Sequence, residues 1–223
     1  MYQDVNTQII DKARQLIMVV ADSWDSMPAK MWYFDEGNDG KWIAVRKNIS
    51  VVIGKKGLAP TLSFKDFLLA DKKEGDNKTP AGFFRIGKTF GFQDCELLNY
   101  IQIKTGIECI DDSNSRHYND IVNTSKLTKD WQSSEHMSQV PQYKYGIEIL
   151  YNHSPAQVKK GSCIFMHIWK SADTGTEGCT AMSEHDIKEL QSWINPSKKP
   201  VIIQLPFQSY EQIKVQYQLP DLS

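Results

Sequence analysis

The sequence predicts a mainly β fold with one well-marked helix. Three observations carry this. Short Val-, Ile- and aromatic-rich stretches recur between turn-forming residues. A glycine-rich pentapeptide separates two of them. Only one stretch combines helical spacing with a start signal and a stop signal.

The elements follow in chain order. Asn6 to Arg14 is a short polar lead with helical character, and Leu16 to Val20 reads as a strand. Met31 to Phe34 and Trp42 to Val45 flank Glu36-Gly37-Asn38-Asp39-Gly40, a turn composition that predicts a hairpin. Ser50 to Ile53 is read as a separate strand, broken by Gly54 and Gly57, and Phe83 to Ile86 follows Thr79-Pro80-Ala81-Gly82. Residues 91 to 146 are polar and turn-rich with scattered aromatics. A segment of that length is either a functional excursion or a set of surface hairpins. We read residues 1–223 as a single domain with 91–146 as a cap-like insertion beside a cleft.

The β pattern resumes with Ile147 to Tyr151 and Ser162 to Trp169. In the second, Ile164, Met166 and Ile168 alternate with Cys163, Phe165, His167 and Trp169. The aliphatic face suits a core, so His167 is expected on the opposite face near the strand's end. A helix then begins at Ser183, with Asp186 as a capping-box-like partner. Ile187, Leu190 and Ile194 form its apolar stripe, Asn195-Pro196 stops it, and Pro200 to Leu205 reads as a last strand.

Composition narrows the function. The chain has 223 residues, 26 basic and 27 acidic, with no basic cluster interleaved with aromatics, so nothing marks a nucleic-acid binder. No apolar run approaches the ~20 residues of a membrane span. Gln15 to Ala21 lacks the basic lead of an export signal. The only arginines are Arg14, Arg46, Arg85 and Arg116, so any fork for a carboxylate comes from one of these. Two cysteine arrangements stay open: Cys95 paired with Cys109 and Cys163 buried, or four reduced thiols.

The densest chemistry lies in Phe165-Met166-His167-Ile168-Trp169 and Thr176-Glu177-Gly178-Cys179-Thr180. A thiolate is the nucleophilic form of cysteine, and an imidazole beside it is a common activator. Gly178 allows close substrate approach, and the Gly178 and Cys179 amides are candidate oxyanion donors. The helix start just downstream of Cys179 predicts a depressed thiol pKa. A lone strand histidine is more often structural; the cysteine loop is what shifts the reading to catalysis. Zinc on Cys163, His167 and Cys179 is disfavoured, because no paired ligand motif is present. Gly-x-Ser-x-Gly, Walker and dinucleotide patterns are also missing, and no metal or cofactor is implied.

His167, Thr176, Gly178 and Cys179, with Thr79-Pro80-Ala81-Gly82-Phe83-Phe84 upstream, resemble the L,D-transpeptidase catalytic-domain (YkuD-like) family over roughly Leu16 to Leu205. Within it the chain is similar to a subgroup with Thr-Ala-Met after the cysteine and with Asp-Asp and Asp-Trp-x-Ser-x-Glu segments in the insertion. The resemblance implies a mixed β-sandwich with one flanking helix. It implies Cys179 as nucleophile, His167 as base, and a backbone carbonyl near Thr176 or Glu177 as third member. The implied substrates are peptidoglycan stem peptides: the thiolate takes the carbonyl of the third residue, expels D-alanine, and an amine or water resolves the thioester. A periplasmic or cell-envelope location follows from that substrate. Three departures stand out: a short spacer, Glu177 where histidine is frequent, and Ala181 where many members have arginine. Arg85 and Arg116 are the candidates to replace that charge, and Trp169 and Thr180 are further candidate substrate contacts. The alternatives are a carboxypeptidase or endopeptidase on the same scaffold, or a non-catalytic wall-binding module.

Overall fold

Every residue of the strand Gln15–Ala21 is buried, as the apolar run Leu16–Ala21 demands, and the side chain of Gln15 is satisfied by Trp193 O and the Asn195 amide. In the computed structural model, which describes residues 5–64 and 68–222, it is an interior strand of the main sheet. Helix α1 (Val5–Ile10) precedes it, and it is strand β1. β2 (Pro28–Glu36) and β3 (Trp42–Val52) form the predicted hairpin. Two short strands, β4 (Leu58–Ala59) and β5 (Thr79–Pro80), lead into β6 (Gly82–Gly91). The polar segment contains β7 (Tyr100–Gln102), β8 (Ile107–Cys109), β9 (Ile121–Asn123) and β10 (Glu135–His136). β11 (Tyr145–Ile149), β12 (Phe165–Ile168) and β13 (Thr180–Met182) follow, then α2 (Glu184–Trp193), β14 (Val201–Pro206) and α3 (Phe207–Ile213).

The chain is mainly β, with a mixed sheet ordered β11-β12-β13-β3-β2-β1-β14-β6-β7. β11 also pairs with β6, so the sheet closes on itself. Three pairs are parallel (β1 with β14, β12 with β13, β6 with β7) and the others antiparallel, with β13, β3, β2 and β1 forming an antiparallel run. Gly146 sits at the closure because a Cβ there would lie 2.2 Å from the Phe90 ring across the pair. Gln191 of α2 donates to the carbonyls of Phe90 and Gly146, both at 2.8 Å, and so satisfies two buried acceptors at the same seam.

The largest apolar cluster includes Leu16, Met18, Phe34, Phe83, Ile147, Ile164, Met166, Met182 and Ile203, joined by Ile187 and Leu190 of α2 and by Ile194 at its C-cap. Ser183 caps α2 by accepting from the Asp186 amide, as its sequence predicts. A second cluster lies on the other face of β12: Phe90, Ile103, Cys109, Met137, Tyr143, Cys163 and Phe165. The alternation expected for 163–169 is what is seen, with Ile164 and Met166 in one cluster and Cys163 and Phe165 in the other.

Two readings need correction. Ser50 to Ile53 is not a separate strand but the end of β3, whose first half hides its continuity behind exposed residues and a left-handed Asn48 (φ 57°). Cys109 pairs with Cys163, not Cys95, and Cys95 is exposed and free. The partners are brought together by the second cluster, which Cys95 does not join.

Within the polar segment, β8 pairs with β9 on one side and β10 on the other. The Asp130-Trp131-Gln132-Ser133-Ser134-Glu135 stretch is tied to residues 108–116 by side chains. Asp130 accepts from Ser115 (2.6 Å) and Arg116 (2.7 Å), Trp131 Nε1 and Ser134 Oγ donate to Glu108 (3.3 and 2.6 Å), and Ser133 donates to Asp111 (2.6 Å). Asp130, Trp131, Ser133 and Ser134 thus bond residues 108–116, whereas Glu135 accepts from Tyr143.

Candidate active site

Strand β12 supplies His167, and β13 starts one residue after Cys179. The two run parallel with His167 opposite Ala181, which sets Cys179 alongside Phe165. The Phe165 amide donates to Cys179 Sγ at 3.3 Å, and the thiol donates to the Cys163 carbonyl at 3.5 Å. The Cys179 side chain packs on the second cluster, and the His167 ring meets Tyr143 of that cluster edge-on at 5.5 Å. Cys179 and His167 therefore share one face of two adjacent strands. The intervening loop is anchored to the end of β3, where the Thr176 amide donates to Ile53 O (2.9 Å) and Thr176 O accepts from the Lys55 amide (2.8 Å).

Two threonine hydroxyls hold the peptides around Cys179. Thr79 Oγ1 accepts from the Gly54 amide (2.8 Å) and donates toward Gly178 O (2.8 Å) and Cys179 O (3.2 Å). Thr176 Oγ1 donates to Cys179 O at 2.6 Å and accepts from the Gly178 amide at 3.1 Å. Gly178 has φ 149°, and a Cβ there would lie 3.2 Å from both Lys78 O and Ile164 Cδ1. The position requires glycine both for its backbone and for its space.

His167 Nδ1 lies 2.8 Å from the Ile168 carbonyl. A carbonyl only accepts, so Nδ1 carries the proton in the neutral ring and Nε2 is the basic nitrogen. The orienting carbonyl is thus that of Ile168, not of Thr176 or Glu177. The Thr176 carbonyl is already committed to Lys55. Glu177 is almost fully exposed and faces Lys55 at 3.5 Å.

Burial dominates the electrostatics. It pushes the Cys179 thiol up to about 12, reinforced by the charge of Glu135. Burial also lowers His167, against the opposing effect of its bond to Ile168. At neutral pH the resting pair is therefore a thiol beside a neutral imidazole. The depressed thiol pKa expected from a helix terminus does not arise. β13 separates Cys179 from α2, and the dipole effect fades beyond the first turn.

The remaining sequence candidates are scattered. Thr180 is fully buried with its hydroxyl donated to Gln204, because strand alternation turns it away from Cys179 and into the ring. Trp169 is half-buried and its amide donates to Met182 O (2.8 Å). Arg116 pairs with Asp130 at the surface. Arg85 is exposed on β6, where it lines a surface pocket with Lys12, Leu150, Pro196 and Lys199, and neither His167 nor Cys179 lines that pocket. Cys163 is consumed by the disulfide, which removes it as a metal ligand. The Gly178 amide, expected as an oxyanion donor, is occupied by Thr176.

Sequence reasoning missed three neighbours of the pair: Thr79, Tyr143 and Glu135. Thr79 and Glu135 do lie in the two stretches that carried the family resemblance, whereas Tyr143 had no local signal. Tyr143 donates to Glu135 at 2.5 Å and touches Phe90, Phe165 and His167 edge-on. Burial raises Glu135 to about 7, and burial, reinforced by the Glu135 charge, holds the Tyr143 hydroxyl protonated well above its ordinary range.

The family model for the L,D-transpeptidase catalytic domain (YkuD) matches residues 10–203. No curated protein and no solved structure matches the chain. The matched stretch runs from the end of α1 into β14 and takes in His167, Cys179 and both threonines that hold the Cys179 loop. The chain belongs to the L,D-transpeptidase catalytic-domain family.

Proposed function

We propose that this protein is a peptidoglycan L,D-transpeptidase that works through a thioester on Cys179. The observation that carries the reading is the peptide frame of the nucleophile. Thr79 and Thr176 fix the carbonyls of Gly178 and Cys179, beside a histidine whose free nitrogen is Nε2. Such a frame costs buried hydrogen bonds and a glycine-only backbone, and it makes sense where a sulfur must be aimed.

The reaction starts from neutral groups. His167 Nε2 takes the thiol proton as Sγ attacks the carbonyl of the third stem residue, so no stable thiolate precedes attack. With the Gly178 amide engaged, the Cys179 amide is the oxyanion donor on this strand edge. Collapse breaks the bond to D-alanine, whose amine receives the proton from His167. An amine from a second stem then gives a cross-link. The disulfide supports a site of action in an oxidising compartment, the periplasm or cell envelope, where peptidoglycan lies. No helix among the described residues is long and apolar enough to cross a membrane.

The test is incubation of the protein and of Cys179→Ala with a purified diaminopimelate-containing tetrapeptide stem, followed by mass spectrometry. Transpeptidation predicts an acyl-enzyme and cross-linked dimer from the unmodified protein only. Tripeptide without dimer would replace this reading by hydrolysis, and absence of any acyl-enzyme would remove it.

A further inference from the structure

Glu135 is the carboxylate of the Asp-Trp-x-Ser-x-Glu stretch that bonds Tyr143, the ring packed against His167, whereas Asp130 turns to Ser115 and Arg116. The placement of Glu135 is covalently braced. Glu135 stands opposite Cys109 in the β10–β8 pair, Cys109 is bonded to Cys163, and the Cys163 carbonyl accepts from the Cys179 thiol. One carboxylate oxygen, Oε2, accepts from Tyr143, whose ring lies against His167. Glu135 is half-buried, so it is neither sealed in the core nor surrounded by bulk water. Its charge is near enough to raise the Cys179 thiol. For the acylation step this is a handicap, since an anion beside the sulfur opposes the negative charge that develops there. A negative group in that place calls for a positive partner that arrives later.

We propose that Glu135 binds the ammonium group of the acceptor and takes its proton, so that the Cys179 thioester is resolved by an amine in preference to water. This rests on the thioester reading above and names the chemistry of the second substrate. An alkylammonium ion arriving at the thioester pairs with the carboxylate. One proton passes from nitrogen to Glu135, leaving a free amine. The nitrogen lone pair attacks the thioester carbon, forming the C–N bond, and the C–S bond breaks with its electrons on sulfur. His167 Nε2 takes the remaining extra proton from nitrogen and delivers it to the sulfur. The products are an amide, the Cys179 thiol, neutral His167 and protonated Glu135, which returns its proton to water. A carboxyl raised to about 7 is matched to this work, because it is a stronger base than an ordinary carboxylate and still ionises near neutrality. Water carries no charge for Glu135 to hold, so it gains less from the same group.

The experiment separates the two half-reactions. Protein with its disulfide intact is acylated with the tetrapeptide stem, and acylation rate, cross-linked dimer and hydrolysed tripeptide are followed by mass spectrometry. Glu135→Gln keeps an oxygen that accepts from Tyr143 but loses the charge and the basicity. Its acylation rate should stay within about threefold of the parent or rise, while aminolysis falls by ~10²-fold and the tripeptide share grows, in the range that loss of a general base produces. Glu135→Asp keeps a carboxylate one methylene shorter and should recover part of the dimer yield. An unchanged dimer-to-tripeptide ratio in Glu135→Gln would overturn the proposal while leaving the thioester reading standing. An equal fall in acylation and aminolysis would also overturn it, by showing a structural role. No acyl-enzyme on the parent protein would remove the thioester reading and this inference together.

Discussion

Replacing Thr79 by valine removes a single hydroxyl of nearly unchanged shape from a completely buried position. That hydroxyl serves two backbone groups at 2.8 Å, the Gly54 amide and the Gly178 carbonyl. Cys179 O keeps its bond from Thr176, so the loss falls on two groups and not three. A buried polar group stranded without a partner costs about 1–3 kcal/mol, which puts Thr79→Val at roughly 2–4 kcal/mol after some relaxation. For a chain of this size that corresponds to a fall in Tm of roughly 5–15 °C. The catalytic effect should exceed what lost stability explains at 25 °C, because Gly178 is freed to shift. A displacement of about 1 Å at a nucleophile costs ~10²-fold in rate. Calorimetry and the rate of acyl-enzyme formation, each measured on Thr79→Val and Thr79→Ser, check both halves. Serine keeps the hydroxyl and should recover most of the rate. If valine lies within ~0.5 kcal/mol of threonine, or if serine is as damaging as valine, the hydroxyl does not hold this loop.

Other consequences are open to measurement. The Cys109–Cys163 disulfide spans 54 residues of sequence, and loop entropy for that length is worth about 4 kcal/mol. The double variant Cys109→Ala/Cys163→Ala should lose Tm by roughly 8–16 °C, and an unchanged Tm would show that the second apolar cluster holds the segment without the bond. Because burial holds the Cys179 thiol up at about 12, alkylation by iodoacetamide should climb about tenfold per pH unit from pH ~7 to ~10 with no plateau; a plateau near the ordinary thiol pKa of about 8.5 would refute the buried-thiol state. The same shift makes the folded state bind the thiol proton more tightly than the unfolded one, so stability should decline as pH rises past ~8.5, and Cys179→Ala should lose that part of the decline. Gly178→Ala should cost about 1–3 kcal/mol from its backbone conformation alone, with loss of acylation, and a normally stable, active variant would mean that the loop tolerates other backbone states.

Much of the fold is legible in the sequence because strand and helix periodicity are local. β1, the β2–β3 hairpin and the capped α2 each announce themselves within about ten residues. The two faces of 163–169 were readable for the same reason. What was not legible depends on partners far along the chain. β13 is three residues long and is a strand only because β12 and β3 lie on either side of it. Missing it led to the wrong sign for the thiol, since a helix terminus was placed where a buried strand edge stands. The site divides the same way. His167 and Cys179 are marked by residue type and spacing, whereas the Ile168 carbonyl carries no side-chain signature at all. Tyr143 and Glu135 reach the pair through the fold of a segment whose polar composition resembles surface loop. Thr180 was misplaced by proximity in sequence, because on a strand the next residue faces the opposite way.

Closure of the sheet has a consequence for how the molecule assembles. β1 ends at Ala21 and its parallel neighbour β14 begins at Val201, with β6 waiting on the far side of that same strand. As the chain emerges from its N-terminus, two buried, apolar edges remain unpaired until almost the last element is made. Removing residues from Val201 onward would leave both edges without their shared neighbour, and such edges invite pairing between molecules. Pairings of this sequence separation also make folding slow. The closed sheet therefore ties the Cys179 strand edge to the joining of the chain's two ends: the last strand must slot in beside β1 before the ring, and with it the register of β12 against β13, is complete.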